Sequence, residues 1–117
     1  MTASNPVLRQ TSVMLERAGK QEKAPIWHVA SLLLSNPAIN RVEVNLGRIS
    51  RVAKDNHPIF VPGKVLGTGV IDKKIIIGAF SFSSTAKSKI EASGGSALSV
   101  EEFLKKFPKG SGVKLVK

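Results

Sequence analysis

Ile75-Ile76-Ile77-Gly78-Ala79-Phe80 runs into Ser81-Phe82-Ser83-Ser84-Thr85-Ala86-Lys87-Ser88-Lys89-Ile90-Glu91-Ala92, and this stretch decides the fold. Its first six residues carry no polar side chain. They read as a strand covered on both faces, because a strand wet on one side alternates. Ser83 stands where a helix N-cap belongs, and a helix of small residues follows to about Ala92, closed by Gly94-Gly95. Strand followed directly by helix makes the chain a mixed α+β protein.

Working outward, Ile59-Phe60-Val61 reads as a strand stopped by Pro62-Gly63 and resumed by Lys64-Val65-Leu66. Gly67-Thr68-Gly69 is a turn. Val70-Ile71 and Ile75–Phe80, joined by Asp72-Lys73-Lys74, read as a β-hairpin. Arg41–Val44 is a short strand, and Asn45 is placed to cap a helix reaching about Lys54. Ser99-x-x-Glu102 forms a capping box for a last helix ending near Phe107-Pro108. Val113–Val116 is a terminal strand. Toward the start, Asn5-Pro6 opens a helix that Gly19 ends, and Pro25 opens another that Asn36-Pro37 stops. The expectation is one domain, residues 1–117, with a helical part at 1–40 and a mixed part at 41–117.

The chain has 117 residues, 18 of them basic and 8 acidic, for a net charge of +10. A domain this small repels itself at such charge unless a polyanion neutralises it. The charge is spread along the chain rather than held in one arm, although five lysines and no acid lie between Phe103 and Lys117. No apolar run is long enough to cross a membrane, and the last helix lacks the anchors of a membrane-surface helix. The first residues do not form a secretory signal, so the cytoplasm is expected. Aromatics are few, at 5%. That scarcity favours contacts to phosphate and sugar on folded RNA over stacking on single strands.

Catalytic machinery is not legible. The absence of cysteine excludes disulfides, thiolate metal sites and a Cys nucleophile. His28 reads as a partly buried structural residue beside Trp27, and His57 as a loop residue able to meet a phosphate. Gly63-Lys64 brings a lysine to a glycine turn, but the spacing of a nucleotide P-loop is missing, and Gly67-x-Gly69 lacks the third glycine of a dinucleotide fingerprint. What remains is a turn with backbone donors and a cation, fit for an RNA phosphate or for a tight turn alone. No cofactor, metal or small-molecule substrate is expected. On a wheel of about 100° per residue, Leu46, Ile49, Val52 and Ala53 share one side of the third helix. Arg48, Arg51, Lys54 and Asp55 share the other. That cationic side is either an ordinary solvated face or an RNA-facing one.

Val44-Asn45-Leu46-Gly47-Arg48-Ile49 and Val61-Pro62-Gly63-Lys64-Val65-Leu66-Gly67 resemble a family of large-subunit ribosomal proteins. This is the archaeal and eukaryotic "L eighteen e" type, related to the bacterial "L fifteen" type. Phe80–Ala86, Ile90 and Gly94-Gly95 resemble the C-terminal element the two types share. Asn5-Pro6-Val7-Leu8 and the Trp27 helix fit as well, so the resemblance runs from Asn5 to the C-terminus at an archaeal length. It implies N-terminal helices followed by irregular β-β-α superhelical turns, a structural role in the ribosome and no active site. It also implies ribosomal RNA and neighbouring ribosomal proteins as partners. Arg41, Asn45, Arg48, Arg51, Gly63, Lys64 and Gly67 are the expected RNA contacts of the central part. Lys87, Lys89, Lys105, Lys106 and Lys109 are those of the C-terminal part. Two other readings stay open: a small nucleotide-binding enzyme using the Gly63-Lys64 turn, and a general single-stranded RNA binder.

Overall fold

The computed structural model describes residues 6–35, 42–53, 57–110 and 112–117. In chain order they form α1 (Pro6–Gln21), α2 (Pro25–Ser35), β1 (Val42–Asn45), α3 (Leu46–Val52) and β2 (Ile59–Leu66). These are followed by β3 (Ile76–Phe82), α4 (Ser84–Ala92), β4 (Ser96–Leu98), α5 (Val100–Lys106) and β5 (Lys114–Leu115). Every strand pair is parallel, in the order β1-β2-β3-β4. β5 pairs with the first residues of β2, and β1 with the last ones, so the two lie end to end along one edge of β2.

Crossovers between parallel strands share one hand, so the direction of travel decides which face a connection covers. From β1 to β4 the chain moves steadily across the sheet. Its connections, α3, loop 67–75 and α4, bury Leu46, Ile49, Ile71, Ile75, Ala86 and Ile90 against Ile59, Val61, Val65, Ile77 and Ala79. The step from β4 to β5 goes back the other way, and α5 accordingly lies on the opposite face. There Val100 and Phe103 meet Phe60 together with Leu15, Trp27, Ala30 and Leu34 of α1 and α2. The strand alternation sorts the two cores: Ile59 and Val61 point one way and Phe60 the other.

The second core is aromatic. Trp27 meets Phe60 and Phe103 edge-on, with ring centroids 5.3 and 6.0 Å apart, and Phe103 stacks obliquely on Phe107 at 4.9 Å. Trp27 Nε1 donates to the Pro108 carbonyl at 2.8 Å, which ties the N-terminal helices to the C-terminal segment. Gly78 lets α5 come this close: a Cβ there would collide with Cδ2, Cγ and Cβ of Phe103.

The mixed α and β character read from the sequence holds, and so do several caps. The Ser83 hydroxyl accepts from the Ala86 N–H, and the Ser99–Glu102 capping box is complete. At the end of α4 the Gly94 N–H bonds the Glu91 carbonyl and the Gly95 N–H bonds the Ile90 carbonyl, with Gly94 left-handed at φ +87°.

Other readings fail for identifiable reasons. The expected hairpin is absent: residues 67–75 form a loop that returns to the start of a parallel strand, with Ile71 and Ile75 buried under it. Pro62-Gly63 does not stop β2. The strand absorbs it as a bulge, visible as a register shift between Val61 and Lys64. Gly19 does not end α1, which continues to Gln21. Gly19 instead admits the start of α2, and Lys23 closes the helix at φ 52° while Ala24 N–H bonds the Gly19 carbonyl. The Asn45 side chain makes no cap hydrogen bond; the Gly47 N–H is taken by the Thr68 carbonyl at 3.1 Å. His28 is exposed rather than partly buried. The sequence reading had no counterpart of β4. The cap placed at Asn5 and the stop placed at Asn36-Pro37 lie outside the described residues.

Gly78→Ala is expected to destabilise the protein by about 1–3 kcal/mol, because the Phe103 ring has no free space to yield; chemical denaturation measures this. The Glu102 carboxyl is held below the ordinary carboxylate value, first by the Ser99 backbone N–H and then by the Ser99 side chain. A depressed carboxylate contributes stability above its unfolded value and loses it as pH falls through the folded one. The Ser99 amide resonance is therefore expected to titrate with a midpoint below the ordinary glutamate value. A midpoint at or above that value would contradict the capping assignment.

Candidate nucleic-acid interface

The C-terminal ends of β1, β2 and β3 lie side by side, with Asn45 opposite Leu66 and Val65 opposite Phe82. From this edge the chain enters α3, loop 67–75 and α4. In an open parallel sheet, ligands meet the carboxyl ends of the strands. Backbones approach one another closely here. A Cβ on Gly69, itself at φ +100°, would lie 2.5 Å from the Gly47 nitrogen, and one on Gly67 would lie 2.7 Å from the Thr85 side chain. Lys89, reaching over from α4, donates to the Gly67 and Gly69 carbonyls at 2.7 and 2.9 Å.

Of the expected contacts, the structure brings Asn45, Arg48, Gly67 and Lys89 together at this edge. Arg48 and Arg51 are exposed on α3, while Leu46, Ile49 and Ala53 are buried beneath them. Lys87 is exposed on α4. Lys64 is exposed on β2, between Glu43 of β1 and Ser81 of β3 in the strand register. Gly63 is not in an exposed turn. It is buried in β2 and pressed against the Val42 carbonyl, where a side chain would not fit. Its role is close packing. Lys105 and Lys106, in the last turn of α5, and Lys109 in the turn after it belong to the other layer. Arg41, like Lys54 and Asp55, lies outside the described residues.

Not every cation is free. Lys73 Nζ donates to the Ala53 carbonyl at 2.8 Å and Lys114 Nζ to the Val52 carbonyl at 3.2 Å. Both meet the negative end of α3, which favours cations. Among the described residues the one ion pair is Lys20–Glu16, at 3.5 Å. Arg48 and Arg51 therefore face solvent without a carboxylate partner among those residues, while Lys64 stands opposite Glu43 and Lys87 acts on the Glu102 carboxylate, neither in a close ion pair. The aromatics are withdrawn from the surface: Trp27, Phe60 and Phe103 are fully buried, and Phe80, Phe82 and Phe107 are half-buried. His57 bonds the Gly112 carbonyl at 3.2 Å.

The sequence reading overlooked Thr68, Val70 and Asp72, because it placed them in or beside a hairpin. The missing signal was chemical: Asp72-Lys73-Lys74 lacks the glycine that tight two-residue hairpin turns favour.

Exposed cations thus stand beside the carboxyl edge of a parallel sheet whose described aromatics are buried or half-buried. A family model that describes ribosomal proteins of the 50S "L fifteen", 50S "L eighteen e" and 60S "L twenty-seven A" types matches residues 43–98, the span from β1 to β4. The chain is 44% identical over 117 residues to the large ribosomal subunit protein eL18 of Archaeoglobus fulgidus, covering 99% of each chain. It is 41% identical over 114 residues to that of Methanococcus maripaludis, covering 97% of this chain and 95% of the relative. Against that of Methanoregula boonei the identity is 40% over 114 residues, covering 97% and 94%. The chain belongs to this ribosomal protein family, whose members are structural proteins rather than enzymes.

Lys89→Met is expected to free loop 67–69 from α4 at a cost of no more than about 1 kcal/mol in global stability, since the lysine is exposed. Hydrogen exchange should accelerate at the Gly47 amide, whose acceptor is Thr68, while amides of β3 keep their protection.

Proposed function

We propose that the protein is a structural constituent of the large ribosomal subunit that binds and stabilises folded ribosomal RNA. Its place is then the ribosome, in the cytoplasm. The observation that carries the reading is the exposed pair Arg48 and Arg51. Both are exposed on α3, the helix that starts from the carboxyl edge of the sheet, with no carboxylate partner among the described residues. Guanidinium forks suit phosphate oxygens, and two on one short helix span neighbouring backbone positions. Asn45, Gly67, Lys64, Lys87 and Lys89 extend this surface. Lys105, Lys106 and Lys109 form a second cationic region, so the protein is read as a clamp holding more than one RNA segment. Neighbouring ribosomal proteins are its other partners in this reading.

The burial of the aromatics speaks against a general single-strand binder, which needs exposed stacking platforms. The nucleotide-enzyme alternative loses its loop, because Gly63 lies inside a strand. We read residues 1–117 as one domain, since Trp27 of α2 packs on Phe60 of the sheet and bonds Pro108 beyond α5.

The test is binding of the full chain to transcribed large-subunit ribosomal RNA across a range of salt. Log affinity is expected to fall with log salt by roughly 0.7–0.9 per phosphate neutralised. Changing Arg48 and Arg51 together to Glu should weaken binding by roughly 100-fold and lower the slope by about 1.5, with the circular dichroism spectrum unchanged. Normal binding by the double variant overturns the assignment of this face.

A further inference from the structure

The connection between β2 and β3 contains no helix, so loop 67–75 is held in place by discrete contacts. The Thr68 carbonyl takes the Gly47 N–H, Lys89 grips the Gly67 and Gly69 carbonyls, and Ile71 and Ile75 are buried below. Between these anchors Val70 projects with 74% of its surface exposed, the most of any exposed large apolar side chain among the described residues. A loop pinned on both sides of an apolar side chain holds that side chain out in water at a fixed place.

Beside Val70 lies a hollow of about 370 Å³, walled by Val70, Asp72, Lys89, Ala92 and Ser93. Its chemistry is mixed in a particular way. Val70 and Ala92 offer apolar surface. The Lys89 ammonium has three N–H groups and gives two to loop carbonyls, leaving one. The Ser93 hydroxyl proton is engaged by the Ile90 and Lys73 carbonyls. Asp72 is exposed and has no ion-pair partner among the described residues, although Lys73 and Lys74 follow it directly. A carboxylate at this spot repels a phosphate. It accepts instead from a donor, and the exocyclic amine of a cytosine, adenine or guanine edge is such a donor.

We propose that this hollow receives one unstacked, amine-bearing nucleotide of the RNA, its base lying against Val70 and its edge donating to Asp72. The proposal rests on the ribosomal RNA reading above and adds to it a contact that depends on the base rather than on the backbone. Sequence-dependent recognition of RNA works largely through such splayed nucleotides.

The test uses the full chain and transcribed large-subunit ribosomal RNA, with Val70→Ser and Asp72→Ala compared with the unaltered protein. Both residues are exposed, and circular dichroism checks that the variants fold. Each variant is expected to bind about three- to tenfold more weakly. The salt slope should not change, because neither residue neutralises a phosphate. Asp72→Ala has opposite signs under the competing pictures: loss of a base contact weakens binding, whereas relief of phosphate repulsion tightens it. Equal or tighter binding by Asp72→Ala, or unchanged binding by Val70→Ser, overturns the nucleotide site and leaves the Arg48–Arg51 face untouched. Absence of salt-dependent binding by the unaltered chain overturns the ribosomal RNA reading and this site with it.

Discussion

Strand β2 hydrogen-bonds to three other strands, and each layer takes its position from that ladder. β3 runs along one side, while β1 and β5 share the other. A backbone with a proline in its middle is poorly suited to this role, since Pro62 offers no N–H. The bulge at Pro62-Gly63 resolves the conflict by placing one extra residue where the ladder is interrupted. Gly63, stripped of a side chain, then lets β1 close in through the Val42 carbonyl. The path of β1 fixes where α3 starts, and so where Arg48 and Arg51 emerge.

The cations divide between scaffold and surface. Lys73, Lys89 and Lys114 direct their ammonium groups at backbone carbonyls that a helix end or a helix-free loop leaves unpaired. Arg48, Arg51, Lys64 and Lys87 are left for a partner. A net charge of +10 is thus not a uniform coat. Lys73 and Lys114 serve the scaffold, Lys89 serves it with two of its three N–H groups, and the rest is open to phosphate contacts.

Much of this was legible in the residues. The uninterrupted apolar run at Ile75–Phe80 did mark a strand covered on both faces, Ser83 and Ser99 did mark helix starts, and the wheel of α3 did separate Arg48 and Arg51 from Leu46 and Ile49. Strand direction was the main loss. A hairpin and a parallel crossover present the same apolar and glycine pattern over residues 67–80, and the difference lies in where Ile71 is buried, a tertiary fact. Gly19 and Gly63 misled for a related reason. Their local signature is a turn, but each is small because another part of the chain presses on it. Of the site, the helix-borne arginines could be named from periodicity, while the hollow beside Val70 exists only once loop 67–75 has folded back.

The hydrogen bond from Trp27 to Pro108 has a consequence for biogenesis. The indole lies 81 residues before its acceptor in the chain. A nascent chain can wind α1 and α2 long before it can seal the ring cluster around them. The housing of the tryptophan is complete only once Phe103 of α5 and Pro108 beyond it have emerged to cover it. Its fluorescence is a built-in clock for that moment.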